Sequence, residues 1–271
     1  MTGTPYAEVI GDPIAHSKSP LIHGFWLKAL GMEAEYRACH VTPEGLGDYI
    51  AARRDDPLWR GCNVTIPHKI AVMELVADPG GVRSSIGAMN TIARDEKGAL
   101  IGTNTDAGGF YAPLGQSDFS GADVAVIGAG GAARAVLFAL SRMEVGSVTI
   151  HARNALKAMG LLAGFGLKGQ VRGMADALGE VDLLVNTSPL GMKGFDPLVV
   201  DLDPLPDGAL VYDIVYNPLE TGLLKAARAR GLETVDGLDM LIGQAALAFE
   251  IFFDAAPPRD RDAELRALLI A

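Results

Sequence analysis

The stretch DVAVIGAGGAARAVLFAL, residues 123–140, limits what this chain can fold into more than any other feature. Val124 to Ile127 form a continuous apolar run, the pattern of a strand buried on both faces. Gly128, Gly130 and Ala133 then follow as G-x-G-x-x-A, and AARAVLFAL continues with helical periodicity. In this setting each small residue has a mechanical job. The first glycine permits a tight turn, the second lets the backbone approach a pyrophosphate, and the third small residue lets helix and strand pack. The N–H groups at the helix start then bind the phosphates. The spacing predicts a Rossmann-type dinucleotide-binding domain.

The next strand, SVTIHAR (147–153), bears on which dinucleotide. An NAD site carries an acid near the end of this strand to accept hydrogen bonds from the ribose 2′-OH. Here no Asp or Glu occurs between Ser147 and Gly166. Arg153 and Lys157 stand instead where a 2′-phosphate needs countercharge, and Arg can contact it bidentately. NADP is the expected cofactor.

Short apolar runs alternate with helix-period segments along the rest of the chain, which predicts α/β architecture with mostly parallel strands. YAEVI (6–10) reads as the first strand. SPLIHGFWLKALG then reads as a helix capped by Ser19, with Pro20 at its first position and a stop at Gly31. EYRACHV and CNVTI are further strands, PEGLGDYIAARR is a helix, and PHKIAVMELV is expected to start a helix at Pro67. Two short strands flank the turn DEKG, and a helix is expected near 106–115. The polar, Gly-rich segment 114–123 is a candidate connection between domains. After a second α/β run to about 235, the chain returns to helix.

Composition excludes several classes. A chain of 271 residues that is 49% hydrophobic has enough apolar content for two compact domains. Its formal net charge is −10 with no Lys/Arg-rich run, which argues against nucleic acid or an anionic membrane as partner. Cys39 and Cys62 form no disulfide framework and read as inert core thiols, and the five histidines show no metal-ligand spacing, so no metal is expected. The start, MTGTPYAEVIGDP, lacks the basic-then-apolar pattern of a signal peptide. A soluble protein of a reducing, cytoplasmic setting is the expectation.

Several residues outside the glycine loop invite a chemical reading. A helix opening at Pro67 would place Lys69 in its first turn, where the dipole favours anions by roughly 0.3–1 kcal/mol. An anionic substrate would suit that positive end. Ser17 and Ser19, two apart in HSKSP, offer two hydroxyls to a carboxylate or serve as cap and solvated serine. Asn90 in GAMNT and Asp106 in GTNTDAGGF are bland alone, and Asp106 would serve as a helix cap. Gln244 lies in an apolar helix, so its amide needs a partner, either a ligand or a backbone carbonyl.

Taken together, the segments VIGDPIAHSKSPLIH, NVTIPHK, GAMNTI, GTNTDAGGF, VIGAGGAARAVLFAL, NTSPLGM, DIVYNP and MLIGQAALAFE resemble the shikimate dehydrogenases, in the family's order and almost end to end. The resemblance implies two α/β domains flanking a cleft: a substrate domain with a mostly parallel sheet, and a Rossmann-type NADP domain. It places the first at 1–105, completed by helices of 237–271, and the second at 106–236. It implies that Lys69 and Asp106 are a catalytic pair, with Lys69 serving proton transfer and Asp106 orienting it. Ser17, Ser19, Thr65, Asn90, Asp106 and Gln244 match the substrate pocket, with Tyr216 near it. Gly128, Ala129, Gly130, Gly131, Ala132, Arg153 and Lys157 match the cofactor positions. The implied reaction is reversible, NADPH-dependent reduction of 3-dehydroshikimate to shikimate, by a monomer or homodimer.

The sequence departs from the family in places. Gly24 replaces the Asn that commonly follows the first-helix His, ARN (152–154) replaces Asn-Arg-Thr, and FFD (252–254) stands where Trp is frequent. The alternatives are an NAD-using quinate/shikimate dehydrogenase and a catalytically silent NADP-binding sensor. The missing acid after 147 speaks against the first. Retention of both Lys69 and Asp106 speaks against the second.

Overall fold

The computed structural model describes residues 3–115 and 117–270. The chain divides into two compact units, one of Met1–Thr105 with Ile242–Ala271 and one of Asp106–Leu241.

The first unit begins with β1 (Tyr6–Gly11), α1 (Ser19–Ala29), β2 (Glu35–His40), α2 (Leu46–Arg54) and β3 (Trp59–Val64). A single 3-10 turn (Ala71–Glu74), the short α3 (Val82–Ser85), β4 (Thr91–Arg94) and β5 (Leu100–Thr103) follow. The sheet order is β2-β1-β3-β4-β5, with β1 parallel to both neighbours and β4 antiparallel to both of its own. Only β4 therefore runs against the rest. The stop at Gly31 has a physical basis. Gly31 takes φ +64°, its N–H reaches Lys28 O at 3.2 Å, and Met32 N–H reaches Leu27 O at 2.9 Å. This pair of bonds and the left-handed glycine form a Schellman closure. Ser19, expected as the N-cap, is instead the first helical residue, because Lys18 already has helical geometry and its carbonyl accepts from Leu21 and Ile22.

Charge enters this core at one place. Glu8, on the central strand β1, is 1% exposed. It accepts from Arg53 Nε at 2.7 Å, Tyr49 Oη at 2.7 Å and Arg37 Nε at 3.2 Å. Burial pushes its carboxyl up, but these donors and the Arg53 charge outweigh burial and hold it below the usual range. Cys62 is buried and Cys39 half-buried, and burial pushes both thiols up, as inert structural thiols require.

The second unit holds α4 (Asp106–Tyr111), β6 (Asp123–Ile127), α5 (Gly131–Arg142), β7 (Ser147–His151), α6 (Ala155–Gly164) and β8 (Gly169–Arg172). It continues with β9 (Leu183–Asn186), β10 (Leu210–Asp213), α7 (Gly222–Ala229) and β11 (Glu233–Val235). All six strands are parallel in the order β11-β10-β9-β6-β7-β8. Because successive side chains alternate faces, Val124 and Val126 join one apolar layer with Val136, Leu137 and Leu140 of α5. Ala125 and Ile127 join the other, with Leu223, Leu224 and Ala227 of α7. Burial on both faces explains the unbroken apolar run in the sequence.

The segment 114–123, expected to connect domains, lies inside this second unit; its Gln116 falls outside the described residues. Leu114 is buried in the unit's core and Phe119 packs against it, so the segment is tied down by apolar contacts that its polar neighbours conceal. The final helices are α8 (Gly237–Phe253) and α9 (Asp262–Ile270). The unit boundary falls between Leu241 and Ile242, within α8.

Candidate active site

Lys69 sits on a turn, and no α-helix starts at Pro67. The reason is long-range. The Lys69 carbonyl accepts from Met89 N–H at 2.8 Å, and Met73 N–H, which would close that helical turn, bonds Ile70 O at 3.2 Å. The turn is pinned on its other side as well. Thr65 N–H reaches Ile10 O at 2.9 Å, and buried His68 donates through Nε2 to Val41 O at 2.7 Å. A Cβ on Gly11 would lie 2.5 Å from Thr65 Cγ2, so glycine at the end of β1 lets the turn close over it. Lys69 and Thr65 are both partly exposed on this fixed turn. The helix dipole therefore has no part in the placing of Lys69.

Asn90, Thr105 and Gln244 come together in the first unit. Asn90 Oδ1 accepts Thr105 N–H at 2.7 Å, and Asn90 Nδ2 donates to Thr105 Oγ1 at 2.9 Å. Gln244 Oε1 lies 3.5 Å from Asn90 Nδ2 and 3.4 Å from Thr105 Oγ1. The polar group on the apolar face of α8 thus has side-chain partners. Behind them, Thr91 Oγ1 donates to Asn90 Oδ1 at 3.0 Å and accepts from Asn63 Nδ2 at 3.1 Å. Ser17 accepts from Ser19 N–H at 3.3 Å, while Lys18 between them donates to Leu269 O in the last turn of α9. That cation is placed where a helix C-terminus favours it.

Asp106 belongs to the second unit, where it is buried and opens α4. Tyr216, also in that unit, lies in the loop after β10, and burial pushes its phenol up.

The three small residues of the glycine loop differ in their surroundings. Gly128 takes φ +107°, a conformation that disfavours any side chain, and a Cβ there would lie 2.8 Å from Thr187 Oγ1. Gly130 is exposed and a Cβ on it would meet nothing within 4 Å, so the space before it is open. Ala133 is 0% exposed against the sheet. Gly130 also caps α5 without a side-chain bond. Arg153 and Lys157 are exposed beyond β7, and Asn154 caps α6 by accepting from Lys157 N–H at 3.0 Å. These residues fit a dinucleotide phosphate: an open helix N-terminus for the pyrophosphate, and two exposed cations beside the strand that approaches the ribose.

A second buried network, not expected from the sequence, lies in the second unit. Asp213, at the end of β10, is 0% exposed and accepts from Asn186 Nδ2 at 2.9 Å, Thr221 Oγ1 at 2.7 Å and Val215 N–H at 3.1 Å. Burial pushes its carboxyl up, against the lowering effect of those three donors. Both NTSPLGM and DIVYNP were visible as motifs; the signal overlooked was a polar residue closing an apolar strand in each.

The shikimate dehydrogenase substrate-binding-domain family matches residues 9–92, and the shikimate 5′-dehydrogenase C-terminal-domain family matches residues 237–264. The chain is 70% identical over 268 residues to the shikimate dehydrogenase (NADP+) of Sphingopyxis alaskensis, covering 99% of this chain and 98% of that one. Among solved structures, the Thermus thermophilus shikimate 5-dehydrogenase in complex with NADP(H) and shikimate has a TM-score of 0.87 at 34% identity, covering 98% of this chain and all (100%) of that one. A 5-ketofructose reductase of Gluconobacter, in its ligand-free form, has a TM-score of 0.86 at 30% identity, covering 99% and 100%. The fold at about that identity therefore carries more than one substrate, and fold alone does not choose among them.

Proposed function

The chain belongs to the shikimate dehydrogenase family, and on that premise we propose that it catalyses the reversible reduction of 3-dehydroshikimate to shikimate with NADPH. The observation that carries this reading is the 70% identity to an NADP-dependent shikimate dehydrogenase across nearly the whole of both chains. The cofactor, when bound, supplies the hydride that the ring carbonyl carbon receives. Its pyrophosphate would lie against Gly128–Ala132 and the start of α5, and its 2′-phosphate against Arg153 and Lys157. The absence of an acid from Ser147 to Gly166 favours NADP over NAD.

In the reduction direction Lys69 delivers a proton to the carbonyl oxygen and stabilises the negative charge that develops on it. Asp106 is the second member of the catalytic pair that membership of the family implies. Asn90 and Gln244 hold ring hydroxyls, Thr65 stands beside Lys69 on the same turn, and Ser17 and Ser19 receive the carboxylate. Tyr216 completes the substrate set. A fixed turn suits Lys69 for this role, since catalytic groups held in place lose no energy to reorganisation. No described helix is long and apolar enough to cross a membrane. With a net charge of −10, the chain fits a cytoplasmic enzyme whose partners are small molecules, acting as monomer or homodimer.

The test is NADPH formation by the purified protein with shikimate and NADP+, repeated with quinate and with NAD+. Turnover is expected with the first pair and far less with the others. No turnover with shikimate would overturn the reading.

A further inference from the structure

Asn186 and Asp213 are register partners at the carboxyl ends of β9 and β10, and both are fully buried. In an open parallel sheet, ligands bind beyond these strand ends, at the point where the strand order reverses. Here that point lies between β6 and β9. The loop after β9 crosses it. Thr187 donates its N–H to Ile127 O at 2.8 Å, just before the glycine loop. With Arg153 and Lys157 marking the β7 side for the adenosine end, the loops after β9 and β10 belong to the nicotinamide half.

Polarity runs one way through this pair. Every neighbour of the Asp213 carboxylate is a donor: the Asn186 amide, the Val215 N–H and the Thr221 hydroxyl. Asn186 must therefore turn its NH2 towards Asp213 and its oxygen towards the loop. There Oδ1 accepts from Ser188 N–H at 3.0 Å and Ser188 Oγ at 2.7 Å, while Nδ2 also reaches Leu190 O at 3.2 Å. Thr221, its proton committed to Asp213, accepts from Leu224 N–H at 3.3 Å and caps α7. One carboxylate thus orients residues 187–191 through Asn186 and residues 214–221 through Val215 and Thr221.

We propose that Asp213 is a positioning residue for the cofactor: through Asn186 and Thr221 it fixes the two loops that wall the nicotinamide half of the dinucleotide site. The inference rests on the NADP reading above. Asp213→Asn removes the charge: its oxygen can stay with Asn186 and Val215 N–H, while its NH2 takes the Oδ2 place and turns the Thr221 hydroxyl from donor to acceptor.

The test measures NADPH affinity by nucleotide fluorescence, with KM for NADP+ and for shikimate, on Asp213→Asn protein shown to be folded by circular dichroism. NADPH affinity is expected to fall roughly tenfold, in line with loss of buried charge-assisted hydrogen bonds, and the shikimate KM, to which Tyr216 in the 214–221 loop contributes, is expected to change less. A merely structural role would lower thermal stability and leave the affinity of the folded protein where it was. Folded Asp213→Asn that binds NADPH as tightly as wild type would overturn the proposal. If that variant does not fold, Thr221→Val decides: weaker NADPH binding supports the proposal and unchanged binding overturns it. Wild-type protein that fails to bind NADPH would instead strike the cofactor reading itself.

Discussion

Asn90 and Thr105 grip each other from both ends: the Asn90 oxygen takes the Thr105 backbone N–H at 2.7 Å, and the Asn90 NH2 reaches the Thr105 hydroxyl at 2.9 Å. This fixes the orientation of the amide. Thr105→Val removes the hydroxyl but keeps the shape, leaving the buried Asn90 amide with one partner fewer. Such a loss costs about 1–3 kcal/mol, or roughly 5- to 150-fold, and it should appear in kcat/KM for shikimate. The KM for NADP+ should stay close to wild type.

Two glycines two residues apart, Gly128 and Gly130, should respond differently to alanine. Gly130 has ordinary extended backbone, φ −90° and ψ −165°, and open space where a Cβ would go. Gly130→Ala should keep its thermal stability and lose NADPH affinity, because the methyl fills space meant for phosphate. Gly128→Ala should lose stability itself, by about 1–3 kcal/mol, from the left-handed φ and the close Thr187 hydroxyl. Thermal unfolding and nucleotide titration of both variants separate the two effects.

Arg153→Ala should discriminate between cofactors. Removing a charge-assisted contact to the 2′-phosphate costs about 1.5–3 kcal/mol, so the NADP+ KM should rise by roughly 10- to 150-fold. The NAD+ KM, which involves no such phosphate, should hardly move. Equal losses with both cofactors would mean that Arg153 does not read the phosphate.

Acid should destabilise the first unit in two steps. His23 is 0% exposed, stacks on Tyr36 at 3.8 Å, and burial holds its imidazole down at about 3. Glu8 is held below its ordinary 4.5 by the arginines and Tyr49. In both cases the unfolded chain binds the proton more readily, so stability is full above the unfolded value and is lost as pH falls. His23 acts first, from about 6.5 downward, at about 1.4 kcal/mol per pH unit, and Glu8 adds below about 4.5. Urea unfolding between pH 7 and pH 5 should show the first slope in wild type, and His23→Phe should flatten it.

Local constraints were legible in the sequence, and distant ones were not. The glycine loop was readable because each residue answers to its own backbone: φ at Gly128, open space at Gly130, burial at Ala133. Strand and helix order followed from apolar periodicity. The helix expected at Pro67 failed because Met89, twenty residues on, captures the Lys69 carbonyl. Glu8 reads as an ordinary strand residue until Arg37, Tyr49 and Arg53 arrive from β2 and α2. Asp213 was visible within DIVYNP but silent, because its partners Asn186 and Thr221 meet it only in the folded sheet. Arg153 and Lys157 are exposed beyond β7, and their contact with a phosphate is a matter for the cofactor titration.

The most direct measurement compares wild type with Lys69→Ala, following NADPH formation from shikimate and NADP+ alongside NADPH binding by fluorescence. Turnover is expected from wild type, with a fall of at least about 100-fold in kcat for the variant and nearly equal NADPH affinity in both. A variant that turns over shikimate as fast as wild type would contradict the role assigned to Lys69, and a wild type inactive on shikimate would contradict the account as a whole.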